Sequence, residues 1–174
     1  QCTKYPGCAV TLISPTNSLI AYAKQYINCP YSGPPTGLWS PAECKSGLTC
    51  ATYVSSVYSH VCGIVVYGHG AQKCSSSDVT RVGSSPSDLQ PGDIFSYGIV
   101  DTSNGKYGHT GMYVGRGNID SSGERYTPDD NGDYIFIHST SPKVVYTTYE
   151  WVIQHGPDVR FCRARSCPNN QIIS

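Results

Sequence analysis

The sequence has few charged residues and no excess of either sign. Lys plus Arg and Asp plus Glu number 12 each among 174 residues, so the formal net charge is zero and the charged fraction is 14%. Nucleic acids and anionic membrane surfaces are bound through clusters of Lys and Arg, so this composition favours neither partner. The chain also lacks an apolar run near the roughly 20 residues that a membrane-spanning helix needs.

Cysteine, by contrast, is abundant, and its number is odd. Nine cysteines in a short chain indicate an oxidising compartment, where four disulfides would use eight of them and leave one thiol. The chain begins at Gln1 without a basic and then apolar leader, so we interpret it as the mature form of a secreted, extracellular protein.

The disulfide pairing cannot be deduced from the sequence, because eight cysteines allow many connectivities. Proximity along the chain favours two bonds, Cys29–Cys44 and Cys62–Cys74. The remaining bonds would then join members of the set Cys2, Cys8, Cys162 and Cys167.

The sequence patterns predict helices first and strands afterwards. Apolar residues at helical spacing predict two helices, near 15–27 and 48–61. From there on, alternation with a period of two predicts five strands, near 92–97, 109–115, 134–138, 144–149 and 158–162. This order indicates an α+β fold in which N-terminal helices pack on an antiparallel sheet.

We expect one domain over residues 1–174, with two additions to its core. Residues 1–14 are irregular and predict an N-terminal extension anchored by disulfides. Residues 116–133 are polar and predict an inserted loop. The acidic residues of this loop could attract the amine of a ligand; the alternative is a solvated surface.

Cys50 is the cysteine placed for chemistry. It opens the second predicted helix, where a thiol faces unpaired backbone N–H groups and the positive end of the helix dipole. Such a setting can lower a cysteine pKa from about 8.5 towards a range of about 3.5–7.5. Taken alone, Cys50 could also be half of a disulfide or a buried core residue, and Cys44 is the rival free thiol.

A cysteine nucleophile needs a general base, and that base needs a third group to orient it. Among five histidines, His109 opens one predicted strand and His138 closes the next. If these strands pair antiparallel, the start of one lies beside the end of the other, so His109 and His138 should meet. The other three are interpreted as surface or structural residues, namely His60, His69 and His155.

Four segments occur together in the order of a known family. They are Gly47–Val54, Leu89–Phe95, Gly108–Gly115 and Phe136–Ser139. With this set, the stretch from about Leu19 to Phe161 resembles the NlpC/P60 cysteine peptidases. That family has a papain-like α+β fold and cuts peptide bonds in bacterial cell-wall peptidoglycan.

The resemblance implies a role for four residues. Cys50 matches the nucleophile, His109 the base and His138 the histidine that orients the base. Tyr31 matches a tyrosine beside the reacting carbonyl, where it would join the Cys50 N–H in an oxyanion hole.

The implied activity is that of a cysteine endopeptidase on peptidoglycan stem peptides. The bond cut would be the one between D-glutamate, through its γ-carboxyl, and a diamino acid, with an acyl-enzyme intermediate. No metal or organic cofactor is required. The implied partner is bacterial peptidoglycan or its peptide fragments, and the protein is expected to be a monomer.

The sequence also departs from the family. Thr49–Thr52 reads Thr-Cys-Ala-Thr where the family usually has Asp-Cys-Ser-Gly, so the residues that often bind the free amine of a short peptide are missing. The spacing between His109 and His138 is longer than usual. The extra cysteines are typical of a secreted eukaryotic relative, such as a fungal one.

Other functions stay open at this point. The same mechanism would serve an amidase that cuts between the sugar lactyl group and L-alanine, and a decayed site would leave a non-catalytic wall-binding protein. The Cys162–Cys167 spacing is compatible with zinc, but the partner histidine pair is absent. The acidic run 129–133 resembles a calcium loop, but the distal Glu is missing.

Overall fold

The computed structural model describes residues 15–33, 37–165 and 167. Its three α-helices are α1 (Pro15–Lys24), α2 (Cys50–Cys62) and α3 (Tyr149–His155). Its strands are β1 (Val79–Arg81), β2 (Ile94–Tyr97), β3 (His109–Ile119), β4 (Tyr126–Pro128), β5 (Asp133–Thr140), β6 (Lys143–Thr148) and β7 (Arg160–Ala164). A 3₁₀ turn at Gly70–Ser75 precedes β1.

The seven strands form one antiparallel sheet in the order β1-β7-β2-β3-β5-β6, and β4 pairs with β3 at its side. Every pair of neighbours runs antiparallel, including β3 and β5. The predicted α+β class, with N-terminal helices on an antiparallel sheet, is therefore confirmed.

Helix α2 begins where the sequence provides a cap. The Thr49 hydroxyl accepts a hydrogen bond from the Thr52 N–H at 3.1 Å, and the Thr52 hydroxyl accepts one from the Thr49 N–H at 2.8 Å. This reciprocal capping box satisfies two N–H groups that would otherwise lack partners. The helix ends at Cys62, and Gly63 caps it in a left-handed conformation (φ 67°) that suits glycine.

The two faces of the sheet have separate cores. Ile135 and Ile137 of β5 belong to the larger core, which also contains the buried residues of α1 and α2. Phe136 belongs to a second core on the other face, together with Val152 of α3. Because side chains alternate along a strand, His138 projects from the same face as Phe136.

Three disulfides lie within the described part of the chain, and Cys50 is free there. The predicted Cys29–Cys44 bond is confirmed. The predicted Cys62–Cys74 bond is wrong, because the end of α2 meets the C-terminal segment and the 70–75 turn meets β7. The bonds are instead Cys62–Cys167 and Cys74–Cys162. Cys2 and Cys8 fall outside the described residues, as does the predicted extension 1–14.

The disulfide that closes the longer loop should stabilise the fold more. Cys74–Cys162 spans 88 positions and Cys29–Cys44 spans 15, and both pairs are buried. Loop-closure entropy then predicts that replacing the first pair with Ala lowers the free energy of unfolding by about 1.5 kcal/mol more than replacing the second. Urea denaturation of the two double variants measures this difference. Equal losses would contradict the prediction.

Some elements were not expected from the sequence. The 116–133 segment was expected to be a loop, but β3 continues to Ile119 and pairs with β4, so most of the segment is a hairpin. Strand β1 and helix α3 also lie where no element was predicted. No helix of the described residues has the length and apolarity needed to cross a membrane.

Candidate active site

Cys50 lies in the first turn of α2 and lines an open cavity of ≈ 870 Å³. Its side chain is largely buried, with 8% of the residue exposed. Tyr31 and Tyr107 belong to the same cavity wall, and about 40% of each is exposed. Of the four residues implied by the resemblance, Cys50 and Tyr31 therefore share one cavity.

His109 and His138 meet at the sheet. His109 Nε2 lies 2.7 Å from His138 Nδ1, a hydrogen-bond distance. The pairing of β3 with β5, with Met112 opposite Ile137, brings the start of one strand beside the end of the other. The predicted juxtaposition of the two imidazoles is thus present.

The thiol and the His109 imidazole occupy adjoining cavities. His109 lines a second depression of ≈ 660 Å³, which shares Tyr107 and Gly108 with the cavity of Cys50. The Thr110 N–H, in the residue after His109, is close enough to the Cys50 sulfur to lower its pKa, so the sulfur lies near the start of β3. The described residues contain no hydrogen bond between Cys50 and His109. Catalytic hydrogen bonds are often long before substrate binds.

The thiol is not activated in the way the sequence suggested. Burial raises the pKa of Cys50 above its ordinary value, although N–H groups of Thr110, Ala51 and Cys50 and the charge of Lys73 act in the opposite direction. The expectation of a lowered pKa considered only the helix terminus, whereas the loss of water around the sulfur is the larger effect. The resting site therefore holds a neutral thiol.

Both histidines are also neutral at rest. Burial lowers the pKa of His109 to about 4, with a smaller contribution from His155. Burial lowers the pKa of His138 well below its usual range, and the charges of His109 and His155 add to this. A neutral imidazole at neutral pH is free to accept a proton.

Stability should depend on pH because of this histidine pair. The unfolded chain takes up protons below about pH 6.5, whereas folded His109 remains neutral until about pH 4. The stability that the folded protein gains by keeping His109 neutral is therefore fully present above about pH 6.5. It is lost as the pH falls towards about 4. For a buried residue such as His138 the slope approaches about 1.4 kcal/mol per pH unit.

Urea denaturation at about pH 7.5 and about pH 5 measures this effect, and the His138→Asn variant isolates one group. We expect the variant to lose less stability than the wild type on acidification. The same loss in both proteins would show that His138 is not responsible.

Aromatic rings surround the imidazole pair. The ring of Trp151 lies 4.9 Å from that of His138 and 6.0 Å from that of His109, both edge to face. His155 stacks on Trp151 at 3.9 Å, so this histidine, expected to be a surface or structural residue, flanks the site. Tyr97 lies 5.5 Å from His109. The missed signal was the Trp-x₃-His spacing, which puts both rings on one side of a helix.

Glycine is needed beside both imidazoles. Gly108 has φ +69°, and a Cβ there would lie 2.3 Å from the Tyr97 carbonyl oxygen. A Cβ at Gly111 would lie 2.9 Å from the Cβ of His138 and closer still to the Phe95 ring. The Gly-His-x-Gly pattern thus lets β3 approach its neighbours closely enough for the histidines to meet.

The Leu-Gln-Pro-Gly-Asp segment has a structural role. Asp93 is 2% exposed and accepts hydrogen bonds from Arg163 at 2.7 and 2.8 Å. Its carboxylate also accepts from the Gln90 N–H at 2.8 Å, which closes the turn before β2. The buried Asp93 carboxylate thus fixes the entry into β2, the strand that neighbours β3.

The metal alternatives find no support. Cys162 and Cys167 are both in disulfides, which use the sulfurs that zinc would need. Within 15–33, 37–165 and 167, no group of three or more His, Cys, Asp or Glu side chains could hold a metal ion. In the acidic run, the Asp129 carboxylate accepts from Asn118 and from the Asn131 N–H, as in an ordinary turn.

The acidic residues of 116–133 do not face the thiol. Asp120 accepts hydrogen bonds from the N–H groups of Glu124 and Arg125, and Glu124 pairs with Lys143. No residue of this segment lines either cavity described above. The structure therefore favours a solvated surface over contact with the substrate amine.

A comparison with known protein families finds a match over the central part of the chain. The family model described as bacteriophage peptidoglycan hydrolase (Amidase_5) matches residues 44–154, which include Cys50, His109 and His138. No curated protein sequence matches the chain.

Solved structures share the fold at low sequence identity. The NlpC/p60 domain of the peptidoglycan hydrolase SagA is 19% identical, with a TM-score of 0.52, covering 87% of this chain and 99% of that one. NlpC1 from Trichomonas vaginalis is 18% identical, with a TM-score of 0.57, covering 92% of this chain and 48% of that one. A lipoprotein-like NLP/P60 protein from Staphylococcus aureus is 16% identical, with a TM-score of 0.54, covering 89% and 44%.

The chain thus spans nearly all of the SagA domain and less than half of the other two proteins. Since the family model covers more than half of the sequence, the protein belongs to the bacteriophage peptidoglycan hydrolase family, and it has the NlpC/P60 fold.

Proposed function

We propose that the protein is a secreted cysteine endopeptidase that cuts peptidoglycan stem peptides at the γ-D-glutamyl–diamino acid bond. Membership of the peptidoglycan hydrolase family supports the substrate class. The observation that carries the mechanism is the 2.7 Å distance between His109 Nε2 and His138 Nδ1, with His109 lining a cavity that adjoins the cavity of the free thiol.

In the proposed reaction, His109 is the general base. The reaction requires the tautomer in which the His109 Nε2–H donates to His138 Nδ1, which leaves His109 Nδ1 to take the proton from the Cys50 thiol. The resulting thiolate attacks the scissile carbonyl carbon, and the C–N bond breaks as His109 returns the proton to the leaving amine. Water, activated by His109, then hydrolyses the thioester and restores the thiol.

Because the thiol and both imidazoles are neutral at rest, proton transfer accompanies substrate binding in this proposal. The developing oxyanion would be held by the Cys50 N–H and the Tyr31 hydroxyl. Tyr31 is suited to this role because it lines the cavity of Cys50, and burial raises the pKa of its hydroxyl, which keeps it a donor.

We also propose one catalytic domain over residues 1–174, acting as a monomer outside the cell of a eukaryote such as a fungus. Three disulfides among the described residues are compatible with secretion.

Mass spectrometry of digested cell walls tests the bond assignment. Purified peptidoglycan is treated with the wild type, and the new chain ends are identified, with Cys50→Ala as the matched control. We expect fragments that end in γ-D-glutamate and fragments that begin with the diamino acid. A new N-terminal L-alanine would identify the amidase instead, and binding without any new ends would identify a non-catalytic wall-binding protein.

A further inference from the structure

A buried lysine lies in the cavity of the thiol, and the proposed reaction does not use it. Lys73, in the 3₁₀ turn Gly70–Ser75, is only 1% exposed. Its ammonium group donates to the Ser55 hydroxyl at 2.7 Å and to the Val66 carbonyl oxygen. An ammonium has three donors, so one N–H remains after these two acceptors.

Lys73 has no carboxylate partner among the described residues. The three ion pairs found there use Lys143, Arg160 and Arg163 instead. Burying a charge without a counter-charge destabilises a protein, so such groups usually have a partner or a function. Because the Cys50 thiol is neutral at rest and the described residues offer Lys73 no carboxylate, the counter-charge is left to a ligand.

The wall of this cavity contains a positive charge and no carboxylate. Lys73 and Cys50 both line it, and its wall contains no Asp, Glu or Arg. A cation in a concave wall of low polarity attracts anions more strongly than the same cation would in water. The side chains at the site of reaction therefore favour a ligand with a negative charge near the scissile bond.

We propose that Lys73 forms a carboxylate-binding subsite beside Cys50, which holds the free α-carboxylate of the γ-linked D-glutamate whose carbonyl is attacked. This inference rests on the proposed function, since only a γ-linked residue carries a free carboxylate on the acyl side of the scissile bond. The subsite would let the protein select its substrate, although Thr49 replaces the Asp of the usual Asp-Cys-Ser-Gly segment.

A pair of matched alkylating reagents tests the subsite without any peptide. Iodoacetate and iodoacetamide transfer similar groups to a thiol, but only iodoacetate carries a carboxylate. At about pH 7 we expect Lys73→Met to lower the ratio of the two Cys50 alkylation rates by about tenfold. The exposed Lys45→Met is the matched control and should leave the ratio unchanged.

The Lys73→Met variant leaves no neighbour unsatisfied. The Ser55 hydroxyl already donates to the Val66 carbonyl oxygen at 2.9 Å, and this bond remains. Lys73→Gln, which keeps an N–H donor without the charge, serves if Lys73→Met fails to fold. In the wild type, burial lowers the pKa of Lys73 to about 8, so the preference for iodoacetate should fade above that pH.

A pair of stem peptides tests the identity of the carboxylate. One carries γ-linked D-glutamate, and the other carries its α-amide. We expect the wild type to prefer the free acid by about 10- to 100-fold in kcat/KM, and Lys73→Met to lose this preference by slowing on the acid alone.

The outcomes separate the subsite from the proposed function. An alkylation ratio that is unchanged in Lys73→Met overturns the subsite. If the alkylation ratio falls in Lys73→Met but the wild type cuts neither peptide, the anion site is supported. The proposed bond and the assignment to D-glutamate are then both wrong. An equal loss on both peptides in Lys73→Met also overturns the assignment to D-glutamate, because Lys73 would then act on the thiol and not on the substrate.

Discussion

Replacing Cys50 with Ala should abolish the release of peptide fragments from peptidoglycan, with a loss of at least about 10³-fold in rate. The sulfur would form the bond to the substrate, and no other described cysteine is free to take its place. The fold should be kept, because Cys50 is in no disulfide and the change removes a single atom at the start of α2. Fragment release is measured by mass spectrometry, and folding by thermal denaturation.

A matched control exists on the same helix. Ser59 lies on α2 and does not line the cavity of Cys50, so Ser59→Ala should keep full activity. Activity that survives in Cys50→Ala would refute the nucleophile assignment, whatever the other residues do.

The second large effect is expected at His109. His109→Gln should reduce kcat by about 10²- to 10⁴-fold, because the amide cannot accept the thiol proton. His138→Asn should lose less, since an amide still hydrogen-bonds with His109 and holds its ring. The order of the two losses distinguishes the base from the residue that orients it.

Steady-state kinetics on a defined stem peptide measures both variants, and His60→Gln is the control. His60 hydrogen-bonds to the Ser56 carbonyl oxygen and lies outside both cavities. A greater loss in His138→Asn than in His109→Gln would reverse the roles proposed for the two histidines.

Local patterns predicted the part of the site that depends on the sheet. The period of two around His109 and His138, together with antiparallel pairing, was enough to predict that their imidazoles meet. The same patterns predicted the helix that begins at Cys50, because apolar residues follow at helical spacing. These features depend on neighbours in the chain.

The sequence could not predict contacts between distant segments. Lys73 lies in a Ser- and Gly-rich stretch that has no periodicity, and only the fold brings it under the cavity of Cys50. The partner of Cys62 lies 105 positions away, so proximity along the chain favoured the wrong bond. The pKa of Cys50 depends on how much water the fold removes around the sulfur, and burial exceeds the effect of the helix terminus.

The Cys29–Cys44 bond closes the loop that contains Tyr31. Thiol hydrolases are usually stored with dithiothreitol so that their nucleophile stays unoxidised, but in this protein the same reagent can open the loop beside the nucleophile. Both sulfurs of the bond lie in buried residues, with 5% and 7% exposed, so opening it requires the loop to move first. The working redox range is therefore bounded on both sides: a glutathione buffer that contains both the thiol and the disulfide should preserve activity better than excess dithiothreitol.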